Sequence, residues 1–144
     1  MPTDPRYVHA TTDNDLLACH GLMRELRPHL DDADAFLARC RRQQAQDWHL
    51  LAVWEDGAPL ALAGYRFQEN MIYGRFVYVD DLVVSAPQRG AGWGAKLLDE
   101  VARIAREYAC ARLVLDTGLS NSLAQRFYFR QGLLTSAIRF GQDL

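Results

Sequence analysis

The stretch that decides the fold is Arg89-Gly90-Ala91-Gly92-Trp93-Gly94-Ala95-Lys96-Leu97-Leu98, which follows an apolar run over residues 76–84. After it, apolar residues recur at helical spacing opposite a charged side: Leu97, Leu98, Val101, Ile104, Ala105 and Tyr108. The order is therefore a strand, a glycine loop and an amphipathic helix. Because the backbone N–H groups at a helix start lack intrahelical acceptors and the helix dipole adds positive potential, the segment predicts a phosphate site.

Two common phosphate-binding motifs fit these glycines poorly. A P-loop would place lysine and a hydroxyl residue directly after the last glycine, whereas residues 94–97 read Gly-Ala-Lys-Leu. The Rossmann fingerprint fits better, since residues 90–95 match its permissive form and Asp116 lies about twenty residues on, where a ribose-binding acid belongs. However, residues 85–89 separate the strand from the glycines, and only 28 residues follow Asp116. A nicotinamide-binding domain is thus a distant alternative.

The flanking residues favour a third motif. Together with residues 81–84, Arg89-x-x-Gly92-x-Gly94 resembles the Arg/Gln-x-x-Gly-x-Gly/Ala signature of the GNAT superfamily of N-acetyltransferases. A second segment, Asn121-x-x-Ala124-x-x-Phe127-Tyr128-x-x-x-Gly132-Leu133, resembles that family's Asn-x-x-Ala-x-x-Phe-Tyr-x-x-x-Gly-Phe helix, with leucine at the last position. Two motifs in the right order are far more specific than either alone. By this resemblance the chain is identified as a small bacterial type of GNAT protein.

The expected fold is mixed α/β (α+β) in a single domain over residues 1–144. Hydrophobic periodicity and turn signals predict strands over 7–10, 48–54, 60–67, 73–84, 112–116 and 133–140, and helices that start at 11–13, at 31–32, after the glycine loop and near 120. Asp56-Gly57 is predicted to form a hairpin turn. The resemblance implies a mostly antiparallel central sheet with helices on both faces, in which the parallel strands 4 and 5 splay apart.

The resemblance implies acetyl-CoA as cofactor, with its pyrophosphate on the glycine loop and its pantetheine along strand 4. The residues that would bind it are Leu82, Val83, Val84, Arg89, Gly90, Ala91, Gly92, Trp93, Gly94, Ala95, Asn121 and Tyr128. Two of these have other interpretations. Asn121 also fits an ordinary helix cap, and Arg89 could simply cover the loop.

Tyr128 is the candidate acid, because a phenol with a reference pKa near 10 can protonate a thiolate whose thiol pKa is roughly 8.5. A core aromatic is the alternative for this residue. The backbone N–H of Leu82 or Val83 would polarise the acetyl carbonyl. Asp80 and Asp81 interrupt an apolar strand, where alternation predicts opposite faces and at least one contact with a cation or a cavity. They are candidate bases, although strand bulges also tolerate acids, and a water chain from Asp80, Asp81 or Tyr78 is an equal possibility.

Composition agrees with one enzyme domain. The chain has 144 residues, 49% of them hydrophobic, and a formal net charge of −2, which gives no sign of nucleic-acid binding. The sequence shows no signal peptide and no apolar run long enough for a membrane span, and its three scattered cysteines, Cys19, Cys40 and Cys110, favour free thiols. We therefore expect a cytoplasmic protein. Neither the cysteines nor the histidines have metal-site spacing, so no metal is expected.

The expected activity is acetyl transfer from acetyl-CoA to a primary amine of a small molecule or peptide, by direct attack in a ternary complex. The alternative is a non-catalytic acyl-CoA-binding regulatory module. Substrate choice is expected to lie in residues 24–34 and 68–75, whose mixed charges do not identify the acceptor. Relatives often form homodimers, so a homodimer is possible.

Overall fold

The structure is a computed structural model that describes residues 4–144. Its internal contacts divide the chain into two units, one up to Val114 and the other from Leu115 to Leu144. The units are described separately below, and the single domain over the whole chain stays a prediction.

The first unit is built on a sheet in the order β1-β2-β3-β4-β5. Its strands are β1 (Arg6–His9), β2 (Trp48–Glu55), β3 (Ala58–Asn70), β4 (Gly74–Val84) and β5 (Arg112–Leu115), the last of which reaches the boundary of the unit. Strands β1 to β4 pair antiparallel, and β5 runs parallel to β4. Asp56 and Gly57 both have positive φ, 51° and 78°, as a tight hairpin turn of the primed type requires. The mixed, mostly antiparallel sheet is confirmed.

Three helices accompany this sheet, α1 (Asp13–Leu26), α2 (Ala33–Gln44) and α3 (Trp93–Glu107). Thr12 caps α1 through a reciprocal capping box with Asp15, and Asp32 caps α2 by accepting from the Asp34 N–H. These starts are as the sequence predicts, because short polar side chains there satisfy amides that no helical carbonyl can reach.

The helices cover both faces of the sheet. Leu50 and Ala52 of β2 are buried in one cluster with side chains of α1 and α2. The alternate residues Leu51 and Val53 are equally buried but point to the opposite face, and α3 packs on β3 and β4. All but one of the predicted apolar positions of α3 are buried; Tyr108 is 56% exposed and caps its C-terminus.

Strands β3 and β4 change register at a β-bulge. Gly64 pairs with Asp81 and the next residue, Tyr65, pairs with Val79, so Asp80 is the extra residue. Gly64 lies beneath two side chains, since a Cβ placed on it would be 2.9 Å from Trp48 Nε1 and 3.3 Å from Asp81 Oδ2. The absence of a side chain at Gly64 is therefore a packing requirement.

The second unit contains α4 (Ser122–Arg130). Asn121 caps its start by accepting from the Ala124 N–H at 3.1 Å. At its end Gly132 has a φ of 86°, and the Leu133 N–H donates to the Tyr128 carbonyl at 3.0 Å, which is the Schellman pattern. Both ends match the sequence expectations.

The predicted final strand over 133–140 is wrong. In the part of the chain that the structure describes, the sheet ends with β5 and residues 133–144 have no regular secondary structure. Its large apolar side chains are exposed, among them Leu134 at 79% and Phe140 at 90%. The apolar and β-branched residues of segment 133–140 have high strand propensity, but a strand forms only when it pairs with another strand through hydrogen bonds.

The packing over Gly64 predicts opposite effects for two glycine substitutions. Gly64→Ala should lower the free energy of unfolding by about 1–3 kcal/mol, because its methyl group would overlap Trp48. Gly21→Ala in α1, where a Cβ has nothing within 4 Å, should raise it by about 0.5–1 kcal/mol. Urea denaturation of both variants checks this. Equal stability of Gly64→Ala and wild type would contradict the packing described here.

Candidate functional site

The glycine loop between β4 and α3 has the backbone conformation that only glycine adopts easily. Gly90 has a φ of 88° and Gly92, the residue before α3, has a φ of 82°. Neither position would crowd a methyl group, since a Cβ there meets nothing within 4 Å. The backbone conformation, rather than lack of space, therefore explains these two glycines.

The loop leaves a group of backbone amides without an acceptor. Ala91 N–H donates to the Gln88 carbonyl at 3.4 Å, and Lys96 N–H makes the first helical bond, to Gly92 at 3.1 Å. No side chain caps this helix. In this loop, as the structure describes it, the N–H groups of Gly90, Gly92, Trp93, Gly94 and Ala95 have no hydrogen-bond acceptor. Such amides at a helix start can receive an anion, and Ala91, whose N–H is already bonded, does not contribute to this group.

Arg89 lies across the entrance to this loop. Its Nε donates to the Val84 carbonyl at 3.3 Å, and its guanidinium is 3.6 Å from the Glu25 carboxylate. Of the two interpretations of Arg89, the structure favours covering the loop. The neighbouring Trp93 has the Lys96 ammonium 4.6 Å from its ring centroid, so a second cation lies beside the free amides.

The bulge in β4 brings Asp80 and Asp81 to the same face of the sheet. Asp81 accepts from Arg27 Nε at 2.8 Å, and Asp80 accepts from Arg66 Nε at 2.9 Å. Arg66 is two residues from Gly64 on β3 and therefore shares the face on which Asp81 lies. The prediction that alternation sends the two carboxylates to opposite faces is wrong, because the extra residue interrupts the alternation.

Each aspartate is paired with a cation, as expected for acids inside an apolar strand. Burial raises the pKa of Asp80, and the hydrogen bond from Arg66 opposes that effect. Arg27 also donates to the Asp80 carbonyl at 3.1 Å, so one guanidinium holds both residues of the bulge.

A cavity of about 280 Å³ lies on this face, between α1, α2 and the sheet. Asp81 and Trp48 line it from the strands, and Arg27, His29 and Arg39 line it from the helices and their connection. The Trp48 indole N–H is buried without a hydrogen-bond partner in the described chain. Cys40 also lines the cavity, but burial raises the pKa of its thiol to about 11, so it is not a nucleophile at neutral pH.

Sequence reasoning missed three residues that form this region: Trp48, Gly64 and Arg66. It placed Arg27 in the segment expected to determine substrate choice. No local sequence signal indicates Trp48 or Arg66, since their partners are distant in sequence. A glycine inside an apolar strand is a weak sign of a bulge, and Gly64 provided it.

Of the remaining predicted site residues, Leu82, Val83 and Val84 end strand β4 in the first unit, and Asn121 and Tyr128 belong to the second unit. Tyr128 lies half-buried on α4, its ring stacked on that of Phe127 with 5.3 Å between centroids. Asn121 serves as the helix cap, which was the simpler of its two interpretations. Asp116, the acid of the Rossmann alternative, forms an ion pair with Arg139.

Comparison with known proteins identifies the family of this chain. Residues 9–133 match the family model described as "Acetyltransferase (GNAT) family". The chain belongs to this family. GNAT proteins are acetyltransferases that use acetyl-CoA, and the resemblance identified from the two sequence motifs is confirmed. An uncharacterized N-acetyltransferase of Bacillus subtilis (strain 168), YhdJ, is 32% identical over 119 residues, which cover 82% of this chain and 83% of the relative.

Solved structures confirm the GNAT fold. The aminoglycoside N-acetyltransferase AAC(6')-Iy, in complex with the bisubstrate analogue CoA-S-monomethyl-acetylneamine, aligns with a TM-score of 0.84 and 20% identity over 99% of both chains. The 6'-N-acetyltransferase AAC(6')-Ih from Acinetobacter baumannii aligns with a TM-score of 0.81 and 17% identity, covering 98% of this chain and 99% of its own. Among residues 4–144, no helix has the length and apolar character to cross a membrane.

The ion pair between Arg66 and Asp80 predicts a pH-dependent loss of stability. Arg66→Met should lower the free energy of unfolding at pH 7 by about 1–3 kcal/mol, because a half-buried carboxylate loses its charged donor. The pKa of Asp80 would rise further. The native state would then hold a proton that the unfolded state, with a pKa near 3.9, has released. The deficit should therefore shrink as the pH falls from 7 towards 4.

Chemical denaturation at several pH values measures this effect. The double variant Arg66→Met/Asp80→Asn is the control, and its deficit relative to wild type should be smaller and should not vary in this way. A deficit of Arg66→Met that is constant between pH 7 and pH 4 would show that Asp80 is not the group responsible.

Proposed function

We propose that this chain transfers an acetyl group from acetyl-CoA to a primary amine of a small molecule or peptide, by direct attack within a ternary complex. The observation that carries the proposal is the row of free amides at the start of α3, in a chain of the GNAT family. The pyrophosphate of coenzyme A has the charge and the acceptor oxygens that such a loop can bind.

The loop and strand β4 would hold the cofactor jointly. Gly90 and residues 92–95 would donate backbone N–H groups to the pyrophosphate, and Lys96 would add a positive charge next to Trp93. The main chain of Leu82, Val83 and Val84 would bind the amides of pantetheine, as a neighbouring strand would. Arg89 would contact phosphate only after leaving the Val84 carbonyl, and this exchange would also free that carbonyl for pantetheine.

When bound, acetyl-CoA supplies the thioester: the amine nitrogen bonds to its carbonyl carbon, and the bond from that carbon to sulfur breaks. The N–H of Leu82 or Val83 is proposed to donate to the carbonyl oxygen, which gains negative charge as the nitrogen attacks. The Tyr128 phenol is proposed to give its proton to the departing thiolate, on the basis of its position in the second motif. The phenolate regains a proton from solvent.

The proton lost by the amine is proposed to reach Asp81. Asp81 lines the cavity next to β4, whereas Asp80 does not line it and is held by Arg66. Asp81 is also next in sequence to Leu82, so its carboxylate lies beside the strand that would hold the thioester. Because Arg27 occupies one of its oxygens, we propose transfer through a water molecule to the other, Oδ2.

Two further expectations remain predictions. We propose a cytoplasmic location, where the buried Cys19 and Cys40 would remain free thiols. A homodimer is a possible assembly, and sedimentation would test it.

The anion site predicts that Gly92→Ala weakens binding of coenzyme A roughly tenfold, because alanine disfavours a φ of 82° and would shift the first amides of α3. Gly57→Ala is the matched control, since Gly57 has a φ of 78° and equally open surroundings but lies in the β2–β3 turn. Both variants should lose a similar amount of stability. Isothermal calorimetry should show weaker binding for Gly92→Ala alone, and equal affinities for the two variants would count against the site.

The proposed acid predicts that Tyr128→Phe lowers kcat about 100-fold while the Kd for coenzyme A changes little. Tyr108→Phe is the control, because Tyr108 is an exposed phenol at the end of α3 that also contacts a phenylalanine ring. Release of free thiol in the presence of a panel of amines measures the rates. Binding of coenzyme A to wild type with no thiol release from any amine would favour the non-catalytic module instead.

A further inference from the structure

The cavity beside Asp81 is lined by a tryptophan whose buried N–H group has no hydrogen-bond acceptor in the described chain. Trp48 is 3% exposed, and its indole N–H has no acceptor in the described part of the chain. A buried donor without a partner costs about 1–3 kcal/mol. Trp48 Nε1 and Asp81 Oδ2 both lie over Gly64, at 2.9 and 3.3 Å from the point where a Cβ would be. A donor and an acceptor therefore both lie close to one point above Gly64.

This pair selects a group that can both accept and donate a hydrogen bond. A neutral amine does so, and so does a water molecule that carries the proton of an amine to Asp81. An ammonium ion cannot accept from the indole. The pair formed by Trp48 and Asp81 thus favours the neutral form of an amine, which is the form that can attack a thioester.

The mouth of the cavity has a different character, because its charges are positive. The guanidinium groups of Arg27 and Arg39 line it together with the His29 imidazole, and the one acid among the lining residues, Asp81, is paired with Arg27. In the described chain Arg39 takes part in no ion pair, and its side chain is exposed at the cavity. The acids of the α1–α2 connection, Asp31 and Asp32, do not line the cavity. An uncompensated guanidinium here would attract a carboxylate and repel a second cation.

The remaining walls are apolar, and the cavity is small. Met23, Leu30 and Phe36 form these walls. The volume of about 280 Å³ is just below the roughly 300–1,000 Å³ of pockets that bind drug-sized ligands. The space therefore suits a small molecule with an apolar side group.

We propose that this cavity binds the acceptor, and that the acceptor is a free amino acid with an apolar side chain. Its amino group would lie at Trp48 and Asp81, and its carboxylate would pair with Arg39. The assignment rests on the proposed acetyl transfer. It would separate this chain from its structural neighbour AAC(6')-Iy, an aminoglycoside N-acetyltransferase that was solved with the bisubstrate analogue CoA-S-monomethyl-acetylneamine.

Leucine and leucinamide form the decisive pair of substrates. They differ only in that leucinamide has a carboxamide where leucine has a carboxylate. The amine of leucinamide is less basic and more often neutral, so amine basicity alone would favour leucinamide over leucine. We expect kcat/KM for leucine to exceed that for leucinamide at least tenfold, mainly through KM. Equal or better turnover of leucinamide, or turnover of polyamines such as spermidine but not of leucine, overturns the proposal.

Arg39→Gln tests the carboxylate contact. It should raise KM for leucine about tenfold and leave KM for leucinamide within twofold, whereas Arg42→Gln, an exposed arginine of the same helix outside the cavity, should change neither. Loss of the same factor for both substrates in Arg39→Gln would show a structural role only, and would contradict the contact.

A binding measurement keeps this proposal separate from the transfer reaction. The chain has three tryptophans, so its nitrogen-15 NMR spectrum contains three indole N–H signals, and Trp48→Phe identifies the one from the cavity. Leucine should shift that signal in wild type and much less in Arg39→Gln. If no amine releases thiol but leucine still produces this shift, the proposed function fails and the cavity assignment stands. If leucine leaves the signal unchanged at millimolar concentration, the cavity assignment fails whatever the activity.

Discussion

The structure depends on how the first turn of α3 satisfies its backbone amides. A helix start must pair its N–H groups with a side chain, water or ligand, and here the preceding residue is Gly92 in a left-handed conformation with no side chain to offer. Strand β4 fixes the place where this turn begins, and the buried apolar side of α3 fixes its direction. These amides therefore have no protein partner and are left to water or a ligand, and the helix dipole favours an anionic ligand.

The same strand carries the second constraint, the bulge at Asp80. One extra residue turns two carboxylates to the face covered by α1 and α2, where Arg27 and Arg66 neutralise them. The bulge also places Asp81 over Gly64, beside the indole of Trp48. Strand β4 therefore leads from an acid in a cavity to the glycine loop within a few residues. Such an arrangement can hold an amine on one side of the strand and a thioester along its edge.

The sequence predicted the parts of this account that depend on local chemistry. Helix caps at Thr12, Asp32 and Asn121, the turn at Asp56-Gly57 and the helix end at Gly132 all follow from short-range hydrogen bonding and positive φ, and all are confirmed. Strand 133–140 was wrong, because its residues have strand propensity whether or not another strand pairs with them. The faces of Asp80 and Asp81 were wrong for a similar reason.

Long-range contacts explain what the sequence could not predict in the candidate site. Arg27 and Asp81 are 54 residues apart in sequence, so nothing local reveals their ion pair. The unpartnered N–H of Trp48 depends on the packing of three strands and two helices around it. The two motifs nevertheless identified the family, because the glycine loop and the α4 segment are each local, and their order along the chain is specific.

The most direct test of the central claim is an amide NMR titration of the chain with coenzyme A. We predict that the largest shifts fall on the N–H groups of Gly90 and residues 92–95, and that Ala91, which already donates to Gln88, shifts less than its neighbours. Saturable binding that leaves those five amides unchanged and perturbs another surface would contradict the account.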